Sequence, residues 1–256
     1  MDRDDELMRA FWDEKARENA TYYVSSYRPY DDQNPAEFWE WGDKLAEKFL
    51  QESGLPFDGT ERVLEIGCGV GRMTRFFARR FREVHGLDVA PEMISRAKAN
   101  LRGLENVSLH EGNGSDLALF ADRSFDFVFS YITFQHIPKP AITLGYIREA
   151  GRVLKSGGHF YFQVNNMPVD IRGRLRLRSR LASIVRRRRE PREAAAGEPA
   201  ETAALRGPKG LDHPAWRGSR LSVAQLEKAC RAADLKILGL RGEGTQYLWV
   251  KAVKLS

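Results

Sequence analysis

The feature that most constrains this 256-residue chain is Val63-Leu64-Glu65-Ile66-Gly67-Cys68-Gly69-Val70-Gly71-Arg72, an apolar run passing straight into three glycines at alternate positions. Such a run reads as a buried strand, and Gly67, Gly69 and Gly71 let the backbone turn sharply and approach a ligand where a Cβ would clash. The following segment, Met73 to Arg82, reads as a helix whose N-terminus faces the same point. A strand, a glycine turn and a helix N-terminus together suit a nucleotide cofactor. A dinucleotide fingerprint would require its third glycine at position 72, where Arg72 stands, so the spacing argues against NAD.

A second short apolar strand, Glu83 to Leu87, ends in Asp88, a carboxylate able to accept hydrogen bonds from two ribose hydroxyls. With these residues the chain resembles the class I S-adenosylmethionine-dependent methyltransferases. Their first motif is similar to Val63–Gly71, and their second strand likewise ends in an acid. Three later segments continue the resemblance: Val107 to Asp116, Ser124 to Ile137, and Arg152 to Phe162. The resemblance covers about residues 61 to 165, and the tail from Leu221 fits more loosely. It implies S-adenosylmethionine as cofactor, S-adenosylhomocysteine as its product, and a cofactor site drawn from Glu65, Gly67, Gly69, Gly71, Asp88, Val89, Met93, Asn113, Gly114 and Tyr131. Asn113 stands where the family carries an acid near the adenine amino group. Its amide oxygen can still accept from an amine, with Asp116 as the substitute. Glu65 is expected to fix the glycine loop through backbone amides.

Length and an apolar content of 42% fit one α/β domain with additions. The alternation of strands and helices predicts a mostly parallel sheet covered on both faces. Ser222-Val223-Ala224-Gln225 has the form of a capping box opening a helix over Val223 to Ala233. Leu235 to Arg241 and Gln246 to Val253, separated by a Gly-Glu-Gly turn, read as a hairpin. The expected fold is therefore the Rossmann-like class I arrangement, with a seven-stranded sheet and an antiparallel terminal hairpin. It divides into a lid segment (1–58), the cofactor-binding core (59–165), an arginine-rich insertion (166–220) and a closing helix and hairpin (221–256).

The lid segment is dense in aromatic residues, Phe11, Trp12, Tyr22, Tyr23, Tyr27, Tyr30, Phe38, Trp39 and Trp41 among them. These pack on the sheet edge or fold across the cofactor mouth, where Tyr22, Tyr23 and Tyr27 could contact the cofactor's sulfonium or carboxylate. Residues 171–192 hold ten arginines against Glu190 alone, a local net of +9 within a chain total of +6. An amphipathic basic helix there could lie on an anionic membrane, grip RNA phosphates, cover an acidic acceptor or simply be a solvated face. Nucleic acid is disfavoured as a substrate, because base-amine methyltransferases resemble Asp/Asn-Pro-Pro-Tyr/Phe after the fourth strand and this chain has Ser130-Tyr131-Ile132-Thr133.

That segment is similar instead to small-molecule, sugar and lipid-quinone methyltransferases. The expected reaction is O-methylation of a small-molecule, glycan or lipid-type acceptor, with nitrogen or carbon acceptors and a non-catalytic cofactor-binding or peripheral-membrane role as alternatives. His136, at the carboxyl edge of the sheet, is the catalytic base candidate, and His213 and Asp212 are the runners-up. Cys68 and Cys230 lack metal-ligand spacing and read as reduced thiols; no metal is expected from these or from the five scattered histidines. The polar amino terminus, Asp2-Arg3-Asp4-Asp5-Glu6, and the lack of a run of roughly 18 apolar residues suggest a cytoplasmic protein, with peripheral membrane contact open through residues 171–192.

Overall fold

A computed structural model describes residues 3–26, 28–31, 34–168 and 210–256. The arginine-rich run 171–192 and Tyr27 lie outside the described residues. Seven strands form one sheet in the order β3-β2-β1-β4-β5-β7-β6. They are β1 (Arg62–Ile66), β2 (Glu83–Asp88), β3 (Val107–Glu111), β4 (Phe125–Ser130), β5 (Leu154–Val164), β6 (Leu235–Arg241) and β7 (Leu248–Lys254). The first five run parallel, and β7 pairs antiparallel with both β5 and β6. The expected parallel sheet and its antiparallel terminal hairpin are both present.

Adjacent residues of β1 serve opposite faces, since Leu64 joins one apolar cluster and Val63 the other. On the first face Leu64, Val128 and Phe160 pack beneath the helices α1 (Arg3–Val24), α5 (Pro140–Val153) and α7 (Val223–Ala232). On the second face Phe127, Phe129 and Trp249 pack beneath α2 (Pro35–Ser53) and α3 (Thr74–Ala78). Phe127 and Phe129 are wholly buried, and each contributes about 2 to 3 kcal/mol through burial. The remaining helices are α4 (Pro91–Asn100) and the short α6 (Pro214–Arg217), with a 3-10 turn at Phe134–His136 after β4. The helix expected over Met73 to Arg82 is shorter, because Arg79 and Arg80 already close it through bonds to the Phe76 and Phe77 carbonyls.

Local caps follow the sequence closely. Ser222 and Gln225 form both bonds of the capping box at α7, and the Asn34 side chain accepts from Glu37 N at 3.2 Å to start α2. α1 is kinked at Asn19, whose side chain leaves the helical pattern to accept from Tyr22 N and donate to the Tyr30 carbonyl.

Strand order reverses between β1 and β4, so the chain leaves their carboxyl ends in opposite directions and opens a crevice there. Ser130 Oγ and Thr133 Oγ1 both donate to the Ile66 carbonyl, at 3.1 and 3.2 Å, and tie the two strand ends together.

Candidate functional site

The glycine loop rises from β1 into this crevice. Gly67 N and Cys68 N both donate to the Leu87 carbonyl, at 2.7 and 3.0 Å, which fixes the loop against the end of β2. Gly67 has φ of +78°, and a Cβ on it would overlap the Thr133 side chain, so only glycine fits between the two strand ends. Asp88 accepts from Gly69 N at 2.8 Å with one carboxylate oxygen and from Ala90 N at 3.0 Å with the other. Burial raises the Asp88 pKa, and the bonds from Ala90, Gly69 and Val89 amides oppose that rise. Each oxygen keeps a second lone pair for a ligand hydroxyl.

Glu65 is fully buried, and burial pushes its pKa up to about 8 against the opposing Thr74 hydrogen bond and Arg72 charge. Its Oε2 accepts from Thr74 Oγ1 at 2.6 Å, so it secures the start of α3 rather than the amides of the glycine loop. Cys68 is a buried free thiol whose pKa is raised by burial and by the Asp88 and Glu65 charges. Among the described residues no group of three or more His, Cys, Asp or Glu could hold a metal ion.

Around these groups lies a cleft with an open mouth. The structure brings Glu65, Gly67, Gly69, Asp88, Val89, Met93, Gly114, Tyr131 and His136 to its walls. Two expected residues are elsewhere. Gly71 packs against α4, where a Cβ would stand 2.7 Å from Leu101 Cδ1; its glycine serves helix packing, not the cleft. Asn113 also stays outside the lining, because its Oδ1 accepts from Ser115 N and Asp116 N and closes a local turn. Asp116 Oδ1 accepts from Ala118 N in a similar local turn, and neither side chain lines the cleft. Gly112 takes a place in the wall instead.

Helix α1 contributes Met8, Trp12, Tyr23 and Val24 to the cleft wall. Gly69 is pressed under it, since a Cβ there would meet Val24 Cγ2 at 3.0 Å, and Gly114 is under Met8. Trp12 and Tyr23 join Trp216 of α6 in an aromatic roof whose ring centroids stand 6.0 and 5.7 Å apart respectively from that of Trp216. His136 lies below this roof, 5.3 Å from Trp12 and 5.1 Å from Trp216 between ring centroids.

His136 Nδ1 sits 2.6 Å from the Trp216 carbonyl, which can only accept, so Nδ1 carries the proton and Nε2 the lone pair. Gln135 Nε2 donates to that lone pair at 3.2 Å. Burial lowers the His136 pKa to about 4 despite the carbonyl bond, and the ring is neutral above that value. The runner-up bases are not in the cleft. His213 stacks on Phe11 with centroids 4.3 Å apart and caps α6 by accepting from Ala215 N; Asp212 is exposed and pairs with Arg217.

A second pocket adjoins the first and shares Tyr23, Val24, Tyr131, Ile132 and His136 with it. Its further walls are Ser25, Gln135, Asn165, Trp216, Gln246 and Tyr247 among others. Ile132, between the pockets, has φ of +53°, an unusual backbone for a β-branched residue. Buried Gln163 holds it there: its Oε1 accepts from Ile132 N at 3.1 Å, and its Nε2 donates to Gln135 Oε1 at 2.9 Å and to the Gln246 carbonyl. Sequence reading missed Gln163, Thr133 and Arg72, whereas Trp216, beside the runner-up bases His213 and Asp212, is expected from the sequence to reach the acceptor from above and lines the second pocket.

A sheet of this order, with a glycine loop and an acid-ended β2 flanking its switch point, defines the class I methyltransferase fold. Residues 64–162 match the family described as Methyltransferase domain, and over that stretch the chain is similar to the S-adenosylmethionine-dependent methyltransferases. It is 35% identical over 108 residues to a ubiquinone biosynthesis O-methyltransferase of Xanthomonas oryzae, across 41% of this chain and 43% of that protein. A demethylmenaquinone methyltransferase of Tropheryma whipplei is 35% identical over 98 residues, across 38% and 39% of the two chains. The chain thus spans less than half the length of these curated relatives. Among solved structures, magnesium protoporphyrin IX methyltransferase from Synechocystis with bound S-adenosylhomocysteine aligns over 98% of this chain and 99% of its own, with a TM-score of 0.59 and 14% identity. An S-adenosylmethionine-dependent methyltransferase from Mesorhizobium loti covers 83% of this chain and 100% of its own, with a TM-score of 0.57 and 19% identity. At these identities the likeness is one of fold.

Proposed function

We propose that the protein transfers the methyl group of S-adenosylmethionine to a hydroxyl on a small, quinone-type aromatic acceptor. The observation that carries this reading is the junction of the two pockets at Tyr23, Tyr131, Ile132 and His136, which gives cofactor and acceptor adjoining chambers. The printed activities of the ubiquinone and demethylmenaquinone relatives support the acceptor class.

The cleft fits the cofactor on its own terms. Gly67 and Gly69, both at positive φ, keep the loop free of Cβ atoms, and Asp88 presents carboxylate lone pairs at the end of β2. In this reading Asp88 holds the ribose hydroxyls, while Met8, Val89 and Met93 flank the base. S-adenosylmethionine, when bound, supplies a methyl group already activated by its sulfonium. The protein's part is then mainly to align the acceptor, through Tyr23, Trp216 and the loop that Gln163 holds at Ile132.

His136 Nε2 accepts the hydrogen bond of the acceptor hydroxyl, displacing Gln135, and takes the proton as the oxygen is alkylated. Alkylation makes the O–H strongly acidic, so a base with a pKa of about 4 suffices. No described helix is long and apolar enough to cross a membrane, and a cytoplasmic enzyme meeting its acceptor in solution or at a membrane surface agrees with this reading.

Incubation with radiolabelled S-adenosylmethionine, a panel of hydroxylated aromatic compounds and fractionated cell extract tests the proposal. Label in the phenolic compounds or the quinone fraction is expected. Label confined to protein, glycan or nucleic acid would refute the acceptor, and cofactor binding without label anywhere would refute turnover.

A further inference from the structure

The side-chain amide of Gln135 is held between groups whose donor and acceptor ends are fixed, so its own direction is fixed too. Gln163 of β5 is wholly buried. The Ile132 N–H can only donate and the Gln246 carbonyl can only accept, so Gln163 turns Oε1 to the first, at 3.1 Å, and Nε2 to the second. The same Nε2 donates to Gln135 Oε1 at 2.9 Å. That leaves Gln135 Nε2 as the end facing His136, 3.2 Å from the ring Nε2. From the other side the Trp216 carbonyl holds the ring proton on Nδ1. Gly218 lets the end of α6 come this close, since a Cβ there would overlap the Gln135 carbonyl oxygen. A donor, the Gln135 amide, and an acceptor, His136 Nε2, therefore stand side by side in the wall of the second pocket.

A hydroxyl that takes the His136 lone pair displaces the Gln135 N–H without dismissing it. Gln163 keeps hold of the amide oxygen, so the N–H stays beside the incoming oxygen. A hydroxyl oxygen carries two lone pairs. With its proton on His136 Nε2 and one pair accepting from Gln135, one pair is left for the methyl carbon. An amine nitrogen in the same place has a single pair, and Gln135 occupies it.

Resting on the methyl-transfer reading above, we propose that Gln135, oriented by Gln163, makes the site select oxygen over nitrogen acceptors. The carbon–oxygen bond forms from the free pair as the carbon–sulfur bond breaks, and the hydroxyl proton passes to His136. A neutral amine is intrinsically a better nucleophile than a neutral hydroxyl, so a preference for oxygen has to come from the protein.

Paired aromatic compounds test this, each hydroxylated compound that takes label being matched with the analogue carrying an amino group in place of the accepting hydroxyl. With S-adenosylhomocysteine bound, calorimetry on the full chain should show the amine binding within roughly fivefold of the hydroxyl compound, since both make the same two hydrogen bonds. With S-adenosylmethionine the amine should be methylated more slowly by roughly 100-fold or more. Gln135→Leu should cut the preference for the hydroxyl roughly 10-fold, with S-adenosylhomocysteine affinity held within about twofold. Gln163→Leu should cut the preference less, because Gln135 can still turn its N–H to His136. Gln135→Leu carries the test alone if the Gln163 variant does not fold. An amine that fails to bind, an amine methylated as fast as the hydroxyl, or a preference unchanged in Gln135→Leu would overturn the inference and leave the methyl-transfer reading standing. No transfer to any hydroxyl or amine would overturn both.

Discussion

The two adjoining pockets are built from different materials. The cofactor cleft is made of backbone and strand ends: glycines at positive φ, amides bonded to Leu87 and Asp88, and an acid at the end of β2. The adjoining pocket, proposed above for the acceptor, is made of side chains from segments far apart in the chain, with Tyr23, Tyr131, Trp216 and Gln246 meeting around His136. Backbone geometry demands particular residues at fixed spacing, so the first pocket is common to a large family. The second can change its chemistry without disturbing the sheet.

The largest expected effect comes from joining the two. Gly67→Ala places a Cβ into Thr133 at a positive φ and should destabilise the fold by about 3 kcal/mol. It should also abolish binding on both sides. Chemical denaturation checks this, and a variant as stable as the parent would show that the strand ends are not packed as described.

His136→Asn should affect the acceptor side alone, lowering kcat by roughly 100-fold while leaving S-adenosylhomocysteine affinity unchanged. Steady-state kinetics and calorimetry together read this. A change in cofactor affinity of similar size would erase the distinction between the pockets.

Smaller, and confined to the cofactor side, is a pH effect at Glu65. Burial holds its folded-state pKa at about 8, so the ligand-free carboxyl is protonated below that pH. A cationic ligand in the cleft that Glu65 lines, as S-adenosylmethionine is, favours the ionised form, so binding below pH 8 should release a proton. Affinity should rise by up to about tenfold per pH unit between pH 6 and 8 and level off above. Glu65→Gln should flatten the profile, and an unchanged slope in that variant would assign the proton elsewhere.

How much of this was legible in the sequence follows the same division. Val63–Gly71, Asp88, the alternating elements and the Ser222–Gln225 box could be read directly, because each is a local rule about strand, turn or cap. Asn113 misled because a short amide side chain can satisfy its own turn, which resemblance to an acid does not reveal. Gly71 misled because a glycine in a ligand loop and a glycine under a helix look alike in sequence. Gln163 and Thr133 lie inside or just after ordinary strand patterns, and their partners at Ile132 and Ile66 are set by sheet order.

The central claim is that the glycine cleft is a cofactor site closed by Asp88. Titration of S-adenosylhomocysteine into the protein and into Asp88→Ala tests it most directly. The account predicts one-to-one binding to the parent and an affinity at least about tenfold weaker in the variant, from lost charge-assisted hydrogen bonds of about 1.5 to 3 kcal/mol. Equal affinity in the two proteins, or no binding to the parent, would contradict it.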